Sequence, residues 1–143
     1  MALTIGVIVC AFNEAGYLGP CLHSLRQQTR RPDEILVVNN ASTDRTAAIA
    51  AAVEGVRVVN EPRKSLVRAR ETGRVAARGQ LLVYIDADCR APRTWRARGR
   101  ALPPRRAGIV RWARVRSGCT CAISGRRSST IVPKDQQHQD VRI

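Results

Sequence analysis

The sequence predicts an α/β domain with a mainly parallel sheet, and three observations support this fold class. Apolar runs of strand length, rich in Ile, Val and Leu, recur along the first two-thirds of the chain. Segments with apolar residues at helical spacing separate these runs, and such alternation is typical of stacked βαβ units. Polar residues follow the apolar runs, at the positions where parallel sheets bind ligands.

Four apolar runs are predicted as strands. The first is a continuous, mostly β-branched run over residues 5–10, typical of a strand that is buried on both faces. Three further runs follow it, at residues 34–38, 56–59 and 81–85.

Three helices are predicted between the strands. Leu18, Cys21, Leu22 and Leu25 recur at three- and four-residue spacing, as on one face of a helix. For the second helix, over 46–52, residues 42–44 (Ser-Thr-Asp) are predicted to supply the N-cap and an acidic first turn, and Gly55 its end. The third helix is predicted over 66–77, with Gly79 as the stop signal.

Charge is distributed unevenly along the 143 residues, whose net charge is +14. Residues 1–92 carry 12 Lys/Arg and nine Asp/Glu, whereas residues 93–143 carry 13 and two. The second segment shows neither helical nor strand periodicity, so we expect a basic tail that is either disordered or translated from a shifted reading frame. Aromatic residues make up only 3% of the chain, which excludes an aromatic stacking surface of the kind that binds single-stranded DNA or RNA. No nucleic-acid partner is therefore expected.

Five cysteines without framework spacing predict free thiols in a reducing, cytoplasmic compartment. The Cys119/Cys121 pair lacks a second pair of ligands, so free thiols are favoured there over zinc. Cys10 and Cys89 flank the strand ends described next, and we expect both to be buried structural thiols. The sequence contains no convincing signal peptide and no apolar run of membrane-spanning length.

The candidate site lies at the predicted carboxyl ends of the strands. Asn13 and Glu14 follow the first strand, Asn39 and Asn40 the second, and Asp86 and Asp88 the fourth, so these side chains are expected to meet at one edge. Two carboxylates at a strand end suit Mg²⁺ or Mn²⁺, which bridge to phosphate oxygens. Arg70 could bind a phosphate bidentately. The alternative interpretation is a solvated turn beside a solvated helix face.

Four sequence blocks together resemble the start of a family 2 glycosyltransferase. They are VIVCAFNE at 7–14, VVNNASTD at 37–44, ARETG at 69–73 and IDAD at 85–88, and their order and spacing fit over residues 4 to about 92. The resemblance implies a truncated GT-A fold, the Rossmann-like fold of nucleotide-diphospho-sugar transferases. It also implies a nucleotide-diphosphate sugar donor, a divalent metal (Mg²⁺ or Mn²⁺) and inverting transfer.

The resemblance also implies roles for individual residues. Ala11, Phe12 and Glu14 fall where the family holds the base and ribose, and Asn39 falls where many members have an aspartate that accepts from the uracil ring. Arg70 matches the arginine near the nucleotide. Asp86 and Asp88 match the metal and diphosphate motif, with Asp88 as the direct ligand.

The sequence departs from the family after the Asp86/Asp88 motif. The carboxylate base and the acceptor-side motif of the family have no counterpart, so residues 1–92 are interpreted as the nucleotide-sugar-binding region and 93–143 as the basic tail. The catalytic base and the acceptor are unknown, and the fragment is expected to transfer little. A membrane-bound acceptor would bring it to the cytoplasmic face of the membrane.

Two alternative functions are a nucleotide-sugar-binding module without catalysis and a nucleic-acid binder acting through the tail. A sugar nucleotidyltransferase is disfavoured because no Gly-rich triphosphate loop follows the first strand.

Overall fold

A computed structural model describes residues 4–93 and the strand at 109–111. The elements alternate as the sequence predicts. In chain order they are β1 (Ile5–Ala11), α1 (Leu18–Arg26), β2 (Glu34–Asn40), α2 (Thr46–Ala51), β3 (Val56–Glu61), α3 (Leu66–Ala76), β4 (Leu81–Asp86) and β5 (Ile109–Arg111).

The strands form one parallel sheet in the order β3-β2-β1-β4-β5. The chain moves from β1 outward to β3 and then crosses back to β4, so the strand order reverses beside β1. Such a reversal point is where open α/β sheets bind ligands, beyond the carboxyl ends of the strands. The predicted α/β class with a mainly parallel sheet is confirmed.

Helices cover both faces of the sheet. On one face, the buried residues of α1 and α2 pack against Val7 and Val9 of β1. On the other face, Ala69 of α3 packs with Ile8 and Leu36. The four α1 residues that were predicted to form one face are all buried, so that prediction is confirmed; they are Leu18, Cys21, Leu22 and Leu25.

Two glycines permit close packing of backbone and side chains. A Cβ on Gly73 of α3 would lie only 2.6 Å from Cγ2 of Ile8. A Cβ on Gly79 would lie 2.3 Å from the backbone nitrogen of Gly6. Both contacts would be severe clashes, so α3 and the start of β4 can reach the sheet only because these residues lack a side chain.

Two expectations differ from the structure. Helix α2 begins at Thr46 with Arg45 as its N-cap and no acidic residue in its first turn; Asp44 instead precedes the cap and accepts a hydrogen bond from the Thr46 N–H at 2.9 Å. Strand β5 lies in a segment where no strand was predicted. A three-residue strand is too short to show a period, and β5 is specified instead by its pairing with the edge of β4.

The rest of the predicted basic tail, with Cys119 and Cys121, lies outside the described residues. Within 4–93, no helix is both long and apolar enough to cross a membrane.

Candidate functional site

The register of the sheet aligns the polar residues at its carboxyl edge. Ala11 of β1 lies opposite Asn39 of β2, and Asn39 lies opposite Asn60 of β3. On the other side of β1, Cys10 lies opposite Asp86 of β4. The predicted convergence of strand ends is therefore a direct result of parallel pairing.

Hydrogen bonds join the loop after β1 to the loop after β2. Asn13 has a left-handed backbone with φ 51°, and its Oδ1 accepts from the Thr43 N–H at 2.8 Å. In return, the Asn13 N–H donates to Ser42 Oγ at 3.1 Å. Ala41 is also left-handed, with φ 56°. A left-handed conformation is uncommon for residues other than glycine and is costly for most of them. The hydrogen bonds between the two loops hold Asn13, the neighbour of Phe12, in this conformation.

The backbone of Glu14 is held by the start of α2. Its N–H donates to Thr46 Oγ1 at 2.9 Å, and the next N–H, from Ala15, donates to Asp44 Oδ2 at 3.2 Å. The hydrogen bond from the Thr46 hydroxyl is the main reason why the pKa of Asp44 lies below its usual value. An ionised Asp44 therefore fixes the loop that carries Glu14, which is half-buried.

The side-chain amide of Asn39 is oriented by two partners. Its Nδ2 donates to Asn60 Oδ1 at 2.9 Å, and its Oδ1 accepts from the Ser42 N–H at 3.4 Å. A carbonyl oxygen has two lone pairs, so Oδ1 retains capacity to accept from a ligand N–H. Asn60 is not among the predicted site residues, although its position at the end of β3 could have indicated it.

Lys64 places a cation beside a residue of the predicted base site. Its Nζ lies 4.1 Å from the centroid of the half-buried Phe12 ring. A lysine at this distance interacts favourably with the negative face of the ring. Lys64 lies in the connection between β3 and α3, and nothing in its sequence position indicates this contact.

Arg70 and Asp86 meet at the junction of α3 and β4. The Arg70 guanidinium lies 3.9 Å from Asp86 Oδ1, and both side chains are about one-third exposed. The backbone carbonyl of Arg70 accepts a hydrogen bond from the Tyr84 hydroxyl at 2.9 Å, which ties this turn of α3 to β4. The two predicted phosphate-site residues are therefore brought together. By contrast, Arg68 of α3 is exposed, as is Arg78 after the end of the helix, whereas Arg74 is half-buried and pairs with Glu71 at 2.6 Å.

Asp86, Asp88 and Cys89 form a compact group of metal-binding side chains, whose ligand atoms all lie within 4.8 Å of one another. The turn that gathers them is closed by the Cys89 N–H, which donates to the Asp86 carbonyl at 3.0 Å. Two half-buried carboxylates with solvent access match the oxygen ligands that Mg²⁺ and Mn²⁺ prefer. The donor set therefore fits a divalent cation.

The two other described cysteines have environments that keep their thiols protonated. Burial raises the pKa of Cys10 to about 11 and that of Cys21 to about 12. Neither forms a disulfide, in agreement with the prediction of free thiols, but Cys10 is half-buried, so the expectation of a fully buried thiol is wrong for it. Cys89 forms no disulfide either, but it is half-buried beside the carboxylates, so the expectation of a buried structural thiol does not describe it. Its position directly after the Asp86/Asp88 motif is the signal that could have indicated this.

Comparison with known proteins gives a consistent result. Residues 6–98 match the family model for glycosyl transferase family 2. The glycosyltransferase AglE of Haloferax volcanii is 31% identical over 102 residues, which are 66% of this chain and 34% of that protein. Among solved structures, the mannosyltransferase PcManGT of Pyrobaculum calidifontis, in complex with GDP-Man and Mn²⁺, has a TM-score of 0.59 at 29% identity. The match covers 64% of this chain and 29% of that one.

A second solved structure has the same architecture. Glucosyl-3-phosphoglycerate synthase of Mycobacterium tuberculosis, in complex with Mn²⁺, UDP and glucosyl-3-phosphoglycerate, has a TM-score of 0.54 at 28% identity. That match covers 60% of this chain and 34% of the other. The chain thus spans between about a quarter and a third of the length of the first curated relatives that it matches, at 26% and 34%.

Proposed function

The chain belongs to glycosyl transferase family 2, and we propose that residues 4–93 bind a nucleotide-diphosphate sugar, the donor for an inverting glycosyl transfer supported by a divalent metal. The observation that carries this proposal is the group of Arg70, Asp86 and Asp88 at the carboxyl edge, beside the strand reversal. A guanidinium and a carboxylate-bound cation are complementary to the two phosphates of such a donor.

The nucleoside is proposed to bind over the ends of β1 and β2. Ala11, Phe12 and Glu14 would contact the base and ribose, and Asn39 would accept a hydrogen bond from the base. The support is geometric: Ala11 and Asn39 are neighbours in the sheet register, and two bridged loops hold the backbone on either side of them. An amide at position 39 can donate as well as accept, but one of its two N–H groups is engaged by Asn60 and that bond fixes the direction of the amide. Acceptance by Oδ1 from a ring N–H, which uracil and guanine both offer, is the interaction that we propose.

The metal is proposed to be Mg²⁺ or Mn²⁺, held by Asp88 with Asp86. When bound, it would supply Lewis-acid neutralisation of the diphosphate leaving group. Arg70 would share the charge of the same diphosphate. The solved relatives with bound Mn²⁺ and either UDP or GDP-Man support this assignment by analogy.

No residue of this chain is assigned as the general base, and neither the acceptor nor the sugar is identified. We propose that the chain alone binds the donor and transfers little sugar, because general base catalysis is typically worth about 10²–10⁴-fold in rate. A donor-binding module without catalysis is the second candidate. Measurements of donor hydrolysis and acceptor turnover by the full chain distinguish the enzyme from the module.

The proposed location is the cytoplasm, at the membrane face if the acceptor is a lipid.

Isothermal titration calorimetry with UDP and GDP tests the binding proposal. Each nucleotide is titrated into the protein with Mn²⁺, with Mg²⁺ and with EDTA. We expect binding with a metal and a large loss of affinity with EDTA. Equal affinity under all three conditions, or no binding of either nucleotide, would refute metal-assisted donor binding.

A further inference from the structure

The sulfur of Cys89 lies in the carboxylate group rather than in the core. Cys89 Sγ is 3.6 Å from Asp88 Oδ1, and both atoms lie within 4.8 Å of a carboxylate oxygen of Asp86. All three residues are half-buried, so a hydrated cation can reach them. A thiol is unnecessary for a purely oxygen-ligated site, and its presence in the group changes which metals the site favours.

Cys21 shows what a structural thiol looks like at the same turn. It is fully buried on α1, and its Sγ donates to the backbone carbonyl of Asp86 at 3.8 Å. Burial and the nearby acidic groups raise its pKa to about 12, so it remains a neutral donor. Cys21 therefore bonds to the backbone of the turn, whereas the Cys89 sulfur bonds to a carboxylate.

We propose that Cys89 is a third metal ligand, which makes the Asp86/Asp88 site a mixed oxygen–sulfur site that favours thiophilic divalent cations of the zinc class over Mg²⁺. The inference rests on the metal site of the proposed function and deepens it. The two carboxylates alone would predict neither a sulfur ligand nor a preference for zinc-class cations over Mg²⁺.

The observed separation fits shared coordination of one ion. Zinc bonds of about 2.3 Å to sulfur and about 2.0–2.2 Å to oxygen, at a tetrahedral angle, place the two ligand atoms roughly 3.5–3.7 Å apart. The Cys89 Sγ to Asp88 Oδ1 distance of 3.6 Å falls in this range. The ion could therefore bind between these atoms without a large movement of the turn.

The proton balance of binding is simple. Without an ion, the Cys89 thiol donates its hydrogen to the Asp88 carboxylate. On binding, the sulfur–hydrogen bond breaks, the proton leaves to solvent, and the sulfur electron pair forms the bond to the metal; nothing is oxidised or reduced. Mg²⁺ gains little from a sulfur ligand because it prefers an octahedral shell of oxygens.

Cadmium titration tests the proposal directly, since Cd²⁺ bound to a thiolate gives an ultraviolet sulfur-to-metal charge-transfer band. Cys119 and Cys121 could bind Cd²⁺ themselves, so every measurement uses a full-length background that carries Cys119→Ser and Cys121→Ser. The variants are Cys89→Ser and, as the matched control, Cys10→Ser. We expect a saturable band in the background and in Cys10→Ser, and its loss in Cys89→Ser, with at least about tenfold weaker Cd²⁺ binding.

A second measurement does not depend on any variant at position 89. In the same background protein, Cd²⁺ or Zn²⁺ should protect Cys89 from alkylation by iodoacetamide, as mapped by mass spectrometry, whereas the same concentration of Mg²⁺ should not. A charge-transfer band that survives Cys89→Ser, or alkylation of Cys89 that is equally fast with Cd²⁺ and Mg²⁺, would overturn the proposal. Because no nucleotide is present, these results are independent of donor binding, whose failure would appear only in the nucleotide titrations.

Discussion

The Arg70 guanidinium lies 3.9 Å from the Asp86 carboxylate, across the junction between α3 and the end of β4. In the absence of ligand, each charge partly compensates the other at a half-exposed edge, where an isolated pair contributes little stability. Little stability would therefore be lost if the diphosphate binding that we propose separated the two groups. A diphosphate with its metal would give both groups a new partner of opposite charge.

Replacement of Arg70 should weaken nucleotide binding. A hydrogen bond to a charged group is worth about 1.5–3 kcal/mol, so Arg70→Ala should weaken UDP or GDP binding by about 10- to 150-fold in calorimetry. Arg70→Lys should lie in between, because an ammonium keeps the charge but loses bidentate geometry. Arg68→Ala is the control, since Arg68 is exposed on the same helix. An equal loss in the two alanine variants would point to general electrostatics instead.

Asp88→Asn should remove most of the metal dependence of nucleotide binding. The substitution preserves size but removes the negative charge that attracts the cation, and we expect the gain in nucleotide affinity on adding Mn²⁺ to fall at least about tenfold. Calorimetry with Mn²⁺ and with EDTA measures this gain. Glu54→Gln is the matched control, because Glu54 is an exposed carboxylate that pairs only loosely with Arg26, at 3.7 Å. A full Mn²⁺ gain in Asp88→Asn would show that the ion binds elsewhere.

Gly73→Ala should destabilise the fold through overpacking. The new Cβ would lie 2.6 Å from Ile8 Cγ2 and 3.1 Å from Val38 Cγ2. Overpacking of this kind costs about 1–3 kcal/mol, which the better helix propensity of alanine offsets by up to about 1 kcal/mol. Urea denaturation should show a lower free energy of unfolding than for wild type. Gly16→Ala, whose Cβ would meet nothing within 4 Å, is the control and should leave stability nearly unchanged. A neutral result at position 73 would mean that α3 can move away from the sheet.

The hydrogen bond between Thr72 and Glu61 should make stability depend on pH. The Thr72 hydroxyl donates to Glu61 Oε2 at 2.8 Å and is the main cause of the lowered pKa of this carboxyl. A carboxyl whose pKa is lower in the folded state stabilises the fold above its unfolded pKa of about 4.3, and this contribution is lost as the pH falls through the folded pKa. Thr72→Val should therefore reduce the free energy of unfolding at pH 7 and reduce it less at pH 3. Thr72→Ser keeps the hydroxyl and should behave like wild type; a difference for Thr72→Val that is constant between pH 7 and pH 3 would contradict the assignment.

Strands β1 to β4, the existence of the three helices and the polar strand ends could be read directly from the sequence, because burial imposes local patterns on it, whereas the three-residue β5 could not. The buried face of α1 shows helical spacing, and β1 shows the continuous apolar run of a strand covered on both sides, here by α1 and α3. Parallel strands end at a common edge, which places Asp86 at that edge. Arg70 of the proposed phosphate site lies on α3 instead, so its proximity to Asp86 depends on how the helix packs against the sheet. Its distance from Asp86 could not be read from spacing, since the two positions are 16 apart in the sequence and lie on different elements.

Only the tertiary structure decided the contacts that depend on register and on loop conformation. Parallel pairing sets Asn60 opposite Asn39, a register that the strand-end position of Asn60 alone does not fix. The connection before α3 places Lys64 over Phe12, although Lys64 belongs to no local pattern. The start of α2 was missed for a similar reason: Asp44 is engaged by Ala15 of another loop and precedes the cap instead of entering the first turn. The turn after β4 directs the Cys89 sulfur toward Asp88, where composition alone favours a buried thiol. Local sequence encodes which residues are buried, but the direction of a side chain in a turn depends on partners that are distant in the chain.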